Sequence, residues 1–151
     1  MQILLEFESL LRILLALVLG YFIGLERELR GQPAGTRTHA MVAVGSALFI
    51  VISQSAFDAA GVSRVASTIV TGLGFLGAGT IIKEEHDIHG LTTAAGIWSV
   101  GAVGMGIGLG EYLLGCTGAF LIWLILISER LLHIDDRLRR KYVERSEHFR
   151  K

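Results

Sequence analysis

The sequence predicts an all-α polytopic membrane protein, a bundle of about five glycine-rich transmembrane helices. Hydrophobic residues make up 52% of the 151-residue chain, which is more than a soluble domain usually contains. Its charged residues cluster between five uncharged apolar runs, each close to the length that crosses a bilayer. Most of the 19 glycines fall inside those runs. Most of the chain is therefore expected to face lipid or other helices.

The five predicted helices follow one another with short connections. The first is expected over residues 13–25, and it reaches a full span if it begins near Ser9, which puts Arg12 in its first turn with its side chain reaching the headgroups. The other four are predicted over residues 40–57, 65–82, 93–110 and 112–128. Residues 1–128 then form one transmembrane domain, and residues 129–151 form a basic tail that extends the last helix, lies on the membrane surface or is solvated.

Lysine and arginine set the expected orientation, because short loops rich in them stay in the cytoplasm. With the carboxyl terminus inside, the inner segments carry Arg27, Arg30, Arg37 and Lys83 as well as the tail, whereas the outer loops carry only Arg64. The rule predicts an outside amino terminus and a cytoplasmic carboxyl terminus. A polytopic chain of this kind has the lipid bilayer as its surroundings, and nothing in it indicates nucleic-acid binding.

Local signals predict where helices begin. Ser63 is a candidate N-cap for the third helix, and Thr92 or Thr93 is a candidate for the fourth. Asp58 and Arg64 flank a short outer turn, and we expect them to pair across it. These are structural roles.

The glycines predict close helix packing. Gly20 with Gly24, and Gly104 with Gly108, form GxxxG steps at which helix backbones can touch. A homodimer or another homo-oligomer is a reasonable expectation from such steps. The segment over residues 72–80 is denser still, with Gly74, Gly77 and Gly79 among its glycines. Packing is the favoured interpretation, and a discontinuous helix or an ion-lining backbone is the alternative.

The richest polar segment covers residues 24–39. It places six chemically active side chains against the ends of two membrane helices: Glu26, Arg27, Glu28, Arg37, Thr38 and His39. One interpretation is a buried ion-pair lattice that pins the first two helices together. The other is a cation or partner site, in which oxygens of the two glutamates suit Mg²⁺ while the neighbouring arginines weaken any bare cation site.

A second acidic loop and the absence of enzyme motifs complete the survey. The loop carries Glu84, Glu85, His86, Asp87 and His89, which indicate either a solvated loop or a divalent-metal site whose spacing matches no zinc pattern. A single cysteine excludes an internal disulfide. No credible nucleophile with its base, HExxH helix, Walker loop or Rossmann fingerprint is present, so no enzymatic activity is expected.

Three ordered segments resemble the transmembrane domain of the MgtC/SapB family of bacterial membrane proteins. They are GLERELRGQPAGTRTHAMVAVGSALF from Gly24, IVTGLGFLGAGTII from Ile69 and GLTTAAGIWSVGAVGMGIGLGEY from Gly90. The family pattern falls on Glu26, Arg27, Glu28, Gly35, Arg37, Thr38, His39, Asp58, Arg64, Gly74, Phe75, Gly77, Gly79, Gly90, Thr92, Thr93 and Trp98. The resemblance transfers no chemical role to any of them.

What the resemblance implies is a plasma-membrane protein, in the inner membrane of a Gram-negative source, linked to growth at low magnesium and to virulence in pathogens. It implies a regulator of other membrane machinery, including the F-type ATP synthase, with a small magnesium transporter or channel as the alternative. No resident cofactor is implied, and Mg²⁺ is the one candidate. Longer members carry a carboxyl-terminal ACT-like domain where this chain has a basic tail, so functions that need that domain are not expected.

Overall fold

The computed structural model describes residues 2–85 and 87–132, and within them the chain is a helix bundle. Its elements are α1 (Gln2–Leu29), α2 (Thr36–Ala56), α3 (Ala59–Ala78), β1 (Ile82–Lys83), β2 (Ile88–His89), α4 (Leu91–Leu109) and α5 (Tyr112–Leu132). The two short strands form an antiparallel hairpin between α3 and α4. The predicted all-α bundle is confirmed, while the part of the predicted tail after Leu132 lies outside the described residues.

Four of the described helices are long and apolar enough to cross a membrane. They are α1 over Leu5–Leu29, α2, α3 and α4, and the apolar part of α5, Tyr112–Ser128, is shorter than these. Length and composition therefore support a multi-pass membrane protein. The orientation of the termini stays a prediction.

The first helix begins much earlier than its apolar run indicates. It starts at Gln2, because the residues before the predicted start include the good helix formers Leu5, Glu6 and Glu8. The expectation that Arg12 lies in the first turn is therefore wrong.

Two of the predicted helix caps are also wrong. Asp58 caps α3, because its Oδ1 accepts a hydrogen bond of 2.8 Å from the backbone N–H of Gly61. Ser63 is one turn inside that helix. The carboxylate serves as a cap, and no ion pair joins it to Arg64 within the described part of the chain.

A glycine precedes α4 where a threonine cap was expected. Gly90 is in the left-handed region at φ 86°, a conformation that glycine adopts without steric cost. A Cβ atom there would lie 1.9 Å from the carbonyl oxygen of Thr80. Thr92 and Thr93 consequently fall inside the first turn of α4.

The fourth helix is the centre of the bundle and contacts each of the other four helices. The buried core around it consists of Ala16, Ile23, Ala43, Ala47, Val100, Val103, Ile107, Ala119 and Leu126. Small side chains in this set let helix backbones approach closely. In contrast, α3 buries only Gly61, Leu73 and Gly77.

The two GxxxG steps are used inside the chain. A Cβ at Gly20 would lie 2.7 Å from the carbonyl oxygen of His39, and one at Gly24 would lie 2.7 Å from that of Gly35, so α1 packs on the start of α2. On α4, the corresponding distances are 2.3 Å from Gly104 to the Ala43 oxygen and 2.8 Å from Gly108 to the Ala47 oxygen. These contacts join α1, α2 and α4, so the steps no longer argue for a homodimer.

The glycines of α3 behave differently from one another. Gly77 faces α4, where its Cβ would lie 3.2 Å from the Ala94 oxygen, and Gly79 ends the helix. A Cβ at Gly72 or Gly74 would meet no atom within 4 Å. No helix of the described chain packs on Gly74, and its packing role stays a prediction. Since α3 is one continuous helix over Ala59–Ala78, the discontinuous-helix alternative is wrong.

Candidate functional site

A buried polar cluster lies where α1 ends and where α2 and α4 begin. At its centre Glu26 is 9% exposed and Arg27 is 3% exposed. Glu26 Oε2 lies 3.7 Å from Arg27 Nη1, and its Oε1 contacts Arg30 Nε. Both pairs lie on α1 or on the turn directly after it, and neither joins α1 to α2. An ion-pair lattice that pins the first two helices therefore stays a prediction.

A different glutamate joins the first two helices. Glu28 Oε2 accepts a hydrogen bond of 2.9 Å from the backbone N–H of Thr36 and another from its hydroxyl. Thr36 is the first residue of α2, and Gly35 before it has no side chain to cap the helix. Glu28 therefore supplies from α1 the cap that α2 lacks. Its carboxylate is committed to that backbone.

His39 is completely buried between α2 and α4. Its Nδ1 lies 3.0 Å from the carbonyl oxygen of Gly35, while its Nε2 faces Gly96 of α4, where a Cβ would come within 3.3 Å. Gly96 therefore makes the space that the imidazole occupies. A histidine at this depth is costly unless its surroundings are polar.

Thr93 links the loop after α1 to α4. It is 1% exposed, and its hydroxyl donates a hydrogen bond of 3.3 Å to Gln32 Oε1. Gln32 and Thr36 were missed by sequence reasoning. The sequence could have indicated Thr36, because it follows Gly35, a residue that has no side chain with which to cap the helix that begins there.

The remaining site candidates lie elsewhere. Arg37 is exposed, and Thr38 is half-buried and faces a groove on the other side of α2. Thr92 and Trp98 are exposed on α4. Asp58 and Arg64 lie at the opposite end of the bundle. Of the predicted set, the cluster thus brings together Glu26, Arg27, His39 and Thr93, with the exposed Glu28 at its edge.

Several buried atoms of the cluster lack a well-directed hydrogen bond within the described residues. They are both carboxylate oxygens of Glu26, Nε of Arg27 and Nε2 of His39. Glu26 Oε1 contacts Arg30 Nε as an ion pair, and Oε2 lies 3.7 Å from Arg27 Nη1, which is beyond hydrogen-bond distance. Buried polar atoms without such partners are uncommon and mark places where water or another group is held.

The donor set fits Mg²⁺ poorly. Within the described residues, no group of three or more His, Cys, Asp or Glu side chains could hold a metal ion. Two guanidinium groups already face the Glu26 carboxylate, and a positive charge next to a ligand opposes a bare cation. The cluster is better suited to fixing helices and charges than to coordinating a divalent ion.

The acidic loop is open to solvent in its described part. Glu84, Glu85, Asp87 and His89 are exposed, and His89 Nε2 lies 3.5 Å from Asp87 Oδ2. His86 lies outside the described residues. This geometry favours the solvated-loop interpretation.

A second polar network, at the opposite end of α1, was not predicted. Arg12 donates hydrogen bonds to Glu8 Oε1 at 2.6 Å, to the Gly108 carbonyl at 2.9 Å, to Gln54 Oε1 at 3.1 Å and to the Tyr112 hydroxyl at 3.2 Å. Four helices therefore meet at one guanidinium. The i, i+4 spacing of Glu8 and Arg12 was the available signal.

Comparison with known proteins places these features in a family. The family model described as "MgtC family" matches residues 13–134. "Putative magnesium transporter YhiD" from Escherichia coli K12 is 45% identical over 127 residues, which are 79% of this chain and 59% of that protein. "Protein MgtC" from Salmonella typhimurium is 42% identical over 135 residues, 87% of this chain and 58% of that protein.

A cyanobacterial relative and the solved structures complete the comparison. "Uncharacterized protein slr0014" from Synechocystis is 40% identical over 125 residues, 83% of this chain and 53% of that protein. The chain thus spans between half and three fifths of the length of these relatives. No solved structure matches it. With a family model over most of its length and relatives at this identity, the chain belongs to the MgtC family.

Proposed function

We propose that this chain is a non-enzymatic regulator that docks on other machinery in a bacterial plasma membrane, the inner membrane in a Gram-negative cell. The proposed activity is linked to magnesium limitation and, in pathogens, to virulence. Membership of the MgtC family supports it, as does the name of the relative MgtC. The F-type ATP synthase is one candidate partner, and a second copy of the chain is another.

The observation that carries the proposal is the free face of α3. Phe75 is 82% exposed, and Gly74 beside it has no neighbouring atom that a Cβ would meet. Glycine inside a helix costs about 1 kcal/mol relative to alanine, and here no contact within the described chain uses it. In membranes, small residues on a free face let another helix approach closely.

Replacement of Gly74 tests this docking. Because the position is open, Gly74→Leu should fold normally while blocking a close approach. Ala102→Leu is the matched control, since Ala102 is also a small exposed residue but lies on α4. We expect chemical cross-linking in cells starved of magnesium to capture a membrane partner with the native chain and the control, and not with Gly74→Leu. Equal capture by Gly74→Leu would remove the basis of the proposal.

A magnesium carrier is the second candidate. The name of YhiD supports it, as do the buried Glu26 and His39 atoms without hydrogen-bond partners. The guanidinium groups beside Glu26 oppose it. Mg²⁺ uptake into proteoliposomes distinguishes the two functions: saturable uptake by the native chain that is lost in the Glu26→Gln, Glu28→Gln variant would establish a carrier, and uptake equal to that of empty vesicles would favour the regulator.

A further inference from the structure

An open apolar groove of about 810 Å³ runs between α2 and α3. Its walls are almost entirely apolar, with Met41, Gly45 and Phe49 on α2 and Val65, Ile69 and Gly72 on α3. It exists because α3 rests mainly on α4, through Leu73 and Gly77. Gly45 and Gly72 add no side chain to the gap between α2 and α3. A Cβ at either position would meet no atom of the described residues within 4 Å.

A positive charge stands at one end of this groove. Arg64 lines it and is exposed. Its side chain makes no ion pair or hydrogen bond with any residue in the described part of the chain. A long arginine side chain near the end of a membrane helix extends its guanidinium to the headgroup layer. The groove therefore combines an apolar channel with an unpaired cation at its mouth.

The length and lining of the groove fit a lipid chain. The stretch from Thr38 to Phe49 on α2 is about 17 Å long at about 1.5 Å per residue, a little more than one leaflet of a hydrocarbon core about 30 Å thick. The groove has a volume of about 810 Å³, and its lining is apolar along that length. An extended acyl chain fits along it, with its headgroup at the end where Arg64 lies.

We propose that this groove binds one acyl chain of an anionic glycerophospholipid, whose phosphate is held by Arg64. Guanidinium groups bind phosphate oxygens with paired, charge-assisted hydrogen bonds. A lipid with a net negative headgroup is preferred over a zwitterionic one, because the latter brings its own cation to the phosphate. The bound lipid fills the space between α2 and α3 and fixes the position of α3 relative to the other helices.

Native mass spectrometry of the purified full chain tests the site. After incubation with phosphatidylglycerol or phosphatidylcholine, we expect one retained phosphatidylglycerol per chain and a preference of about tenfold or more over phosphatidylcholine. Arg64→Gln should abolish that preference, and Arg64→Lys should restore most of it. Gly72→Leu should fill the groove and lose both lipids. Gly74→Leu, one step outside the groove, should bind as the native chain does.

Three outcomes would overturn the proposal. They are an unchanged preference in Arg64→Gln, undiminished lipid retention in Gly72→Leu, and a lipid-free dimer that Gly72→Leu disrupts. The last would mean that a second copy occupies the groove. Melting temperatures of all variants, measured in the same detergent, separate a lost site from a lost fold.

Discussion

Arg12 donates a hydrogen bond of 2.9 Å to the carbonyl oxygen of Gly108, so a charge on α1 closes the carboxyl end of α4. The last carbonyls of a helix have no partner within it, and a cation there also complements the helix dipole. The same guanidinium contacts Glu8, Gln54 and Tyr112. One side chain thus holds together the end of the bundle opposite the buried polar cluster of Glu26 and Arg27.

Replacement of Arg12 should destabilise the bundle. Arg12→Met keeps the length of the side chain but leaves the Gly108 carbonyl without its donor and removes one of the two donors to Glu8 Oε1, the other being the Tyr112 hydroxyl. We expect a loss of about 1.5–3 kcal/mol in the free energy of unfolding, measured by thermal melting in detergent. Arg37→Met is the matched control, since Arg37 is exposed and makes no ion pair or side-chain hydrogen bond within the described residues, and it should change stability by less than about 0.5 kcal/mol. Equal melting temperatures would contradict this role.

Replacement by alanine should distinguish a glycine packed between two helices from a glycine on an open helix face. Gly104→Ala would put a Cβ 2.3 Å from the Ala43 oxygen, which forces α4 away from α2 at a cost of about 1–3 kcal/mol. Gly74→Ala adds a methyl where nothing is within 4 Å and should be neutral or slightly stabilising. The melting temperature and the elution profile of each purified variant check both expectations. A harmless Gly104→Ala would show that the helices are not in close contact there.

Three substitutions test whether Glu28 stabilises the protein by capping α2. The quantity compared is the free energy of unfolding of each variant. Glu28→Ala removes the acceptor for the Thr36 N–H and should cost about 1 kcal/mol. Glu28→Gln keeps a carbonyl oxygen in place and should retain part of that stability. Glu6→Ala, an exposed glutamate on the same helix, should change little. If the glutamine variant were as unstable as the alanine variant, the negative charge and not the cap would be the stabilising feature.

Single cysteines can test the predicted orientation. In a Cys116→Ala background, Ser63→Cys and Lys83→Cys introduce thiols at exposed positions at opposite ends of the bundle. The distribution of basic residues predicts that a membrane-impermeant maleimide labels Ser63→Cys in intact cells. Lys83→Cys should react only after permeabilisation. The reverse pattern would place the carboxyl terminus outside.

The fold was largely predictable because hydropathy and length decide which segments cross a membrane. The predictions that were wrong concern contacts that the local sequence does not determine. The sequence favours Ser63 as a cap, but Asp58 is placed first and reaches Gly61. The sequence near Arg12 indicates a side chain that reaches the headgroups, whereas its partners on α2, α4 and α5 lie 42 to 100 residues away in the sequence.

The candidate site was predictable in its members and not in its connections. Density of charge near the end of α1 identified Glu26, Arg27 and Glu28. Which of them would pair and which would cap was undetermined, since Thr36 competes with the arginines for the same carboxylates. The role of each glycine was equally undetermined, because Gly74 and Gly104 have the same local sequence character and differ only in what faces them.

The central position of α4 has a consequence for biogenesis. The ribosome delivers the chain amino end first, so α1, α2 and α3 enter the bilayer before the helix that covers Ala43, Ala47 and His39 exists. During that interval the His39 imidazole lacks Gly96 against it, and Ala43 and Ala47 lack Gly104 and Gly108. The face of α2 that packs on α4 is therefore completed only after α4 has entered the bilayer, so the final packing of the bundle waits for the second half of the chain.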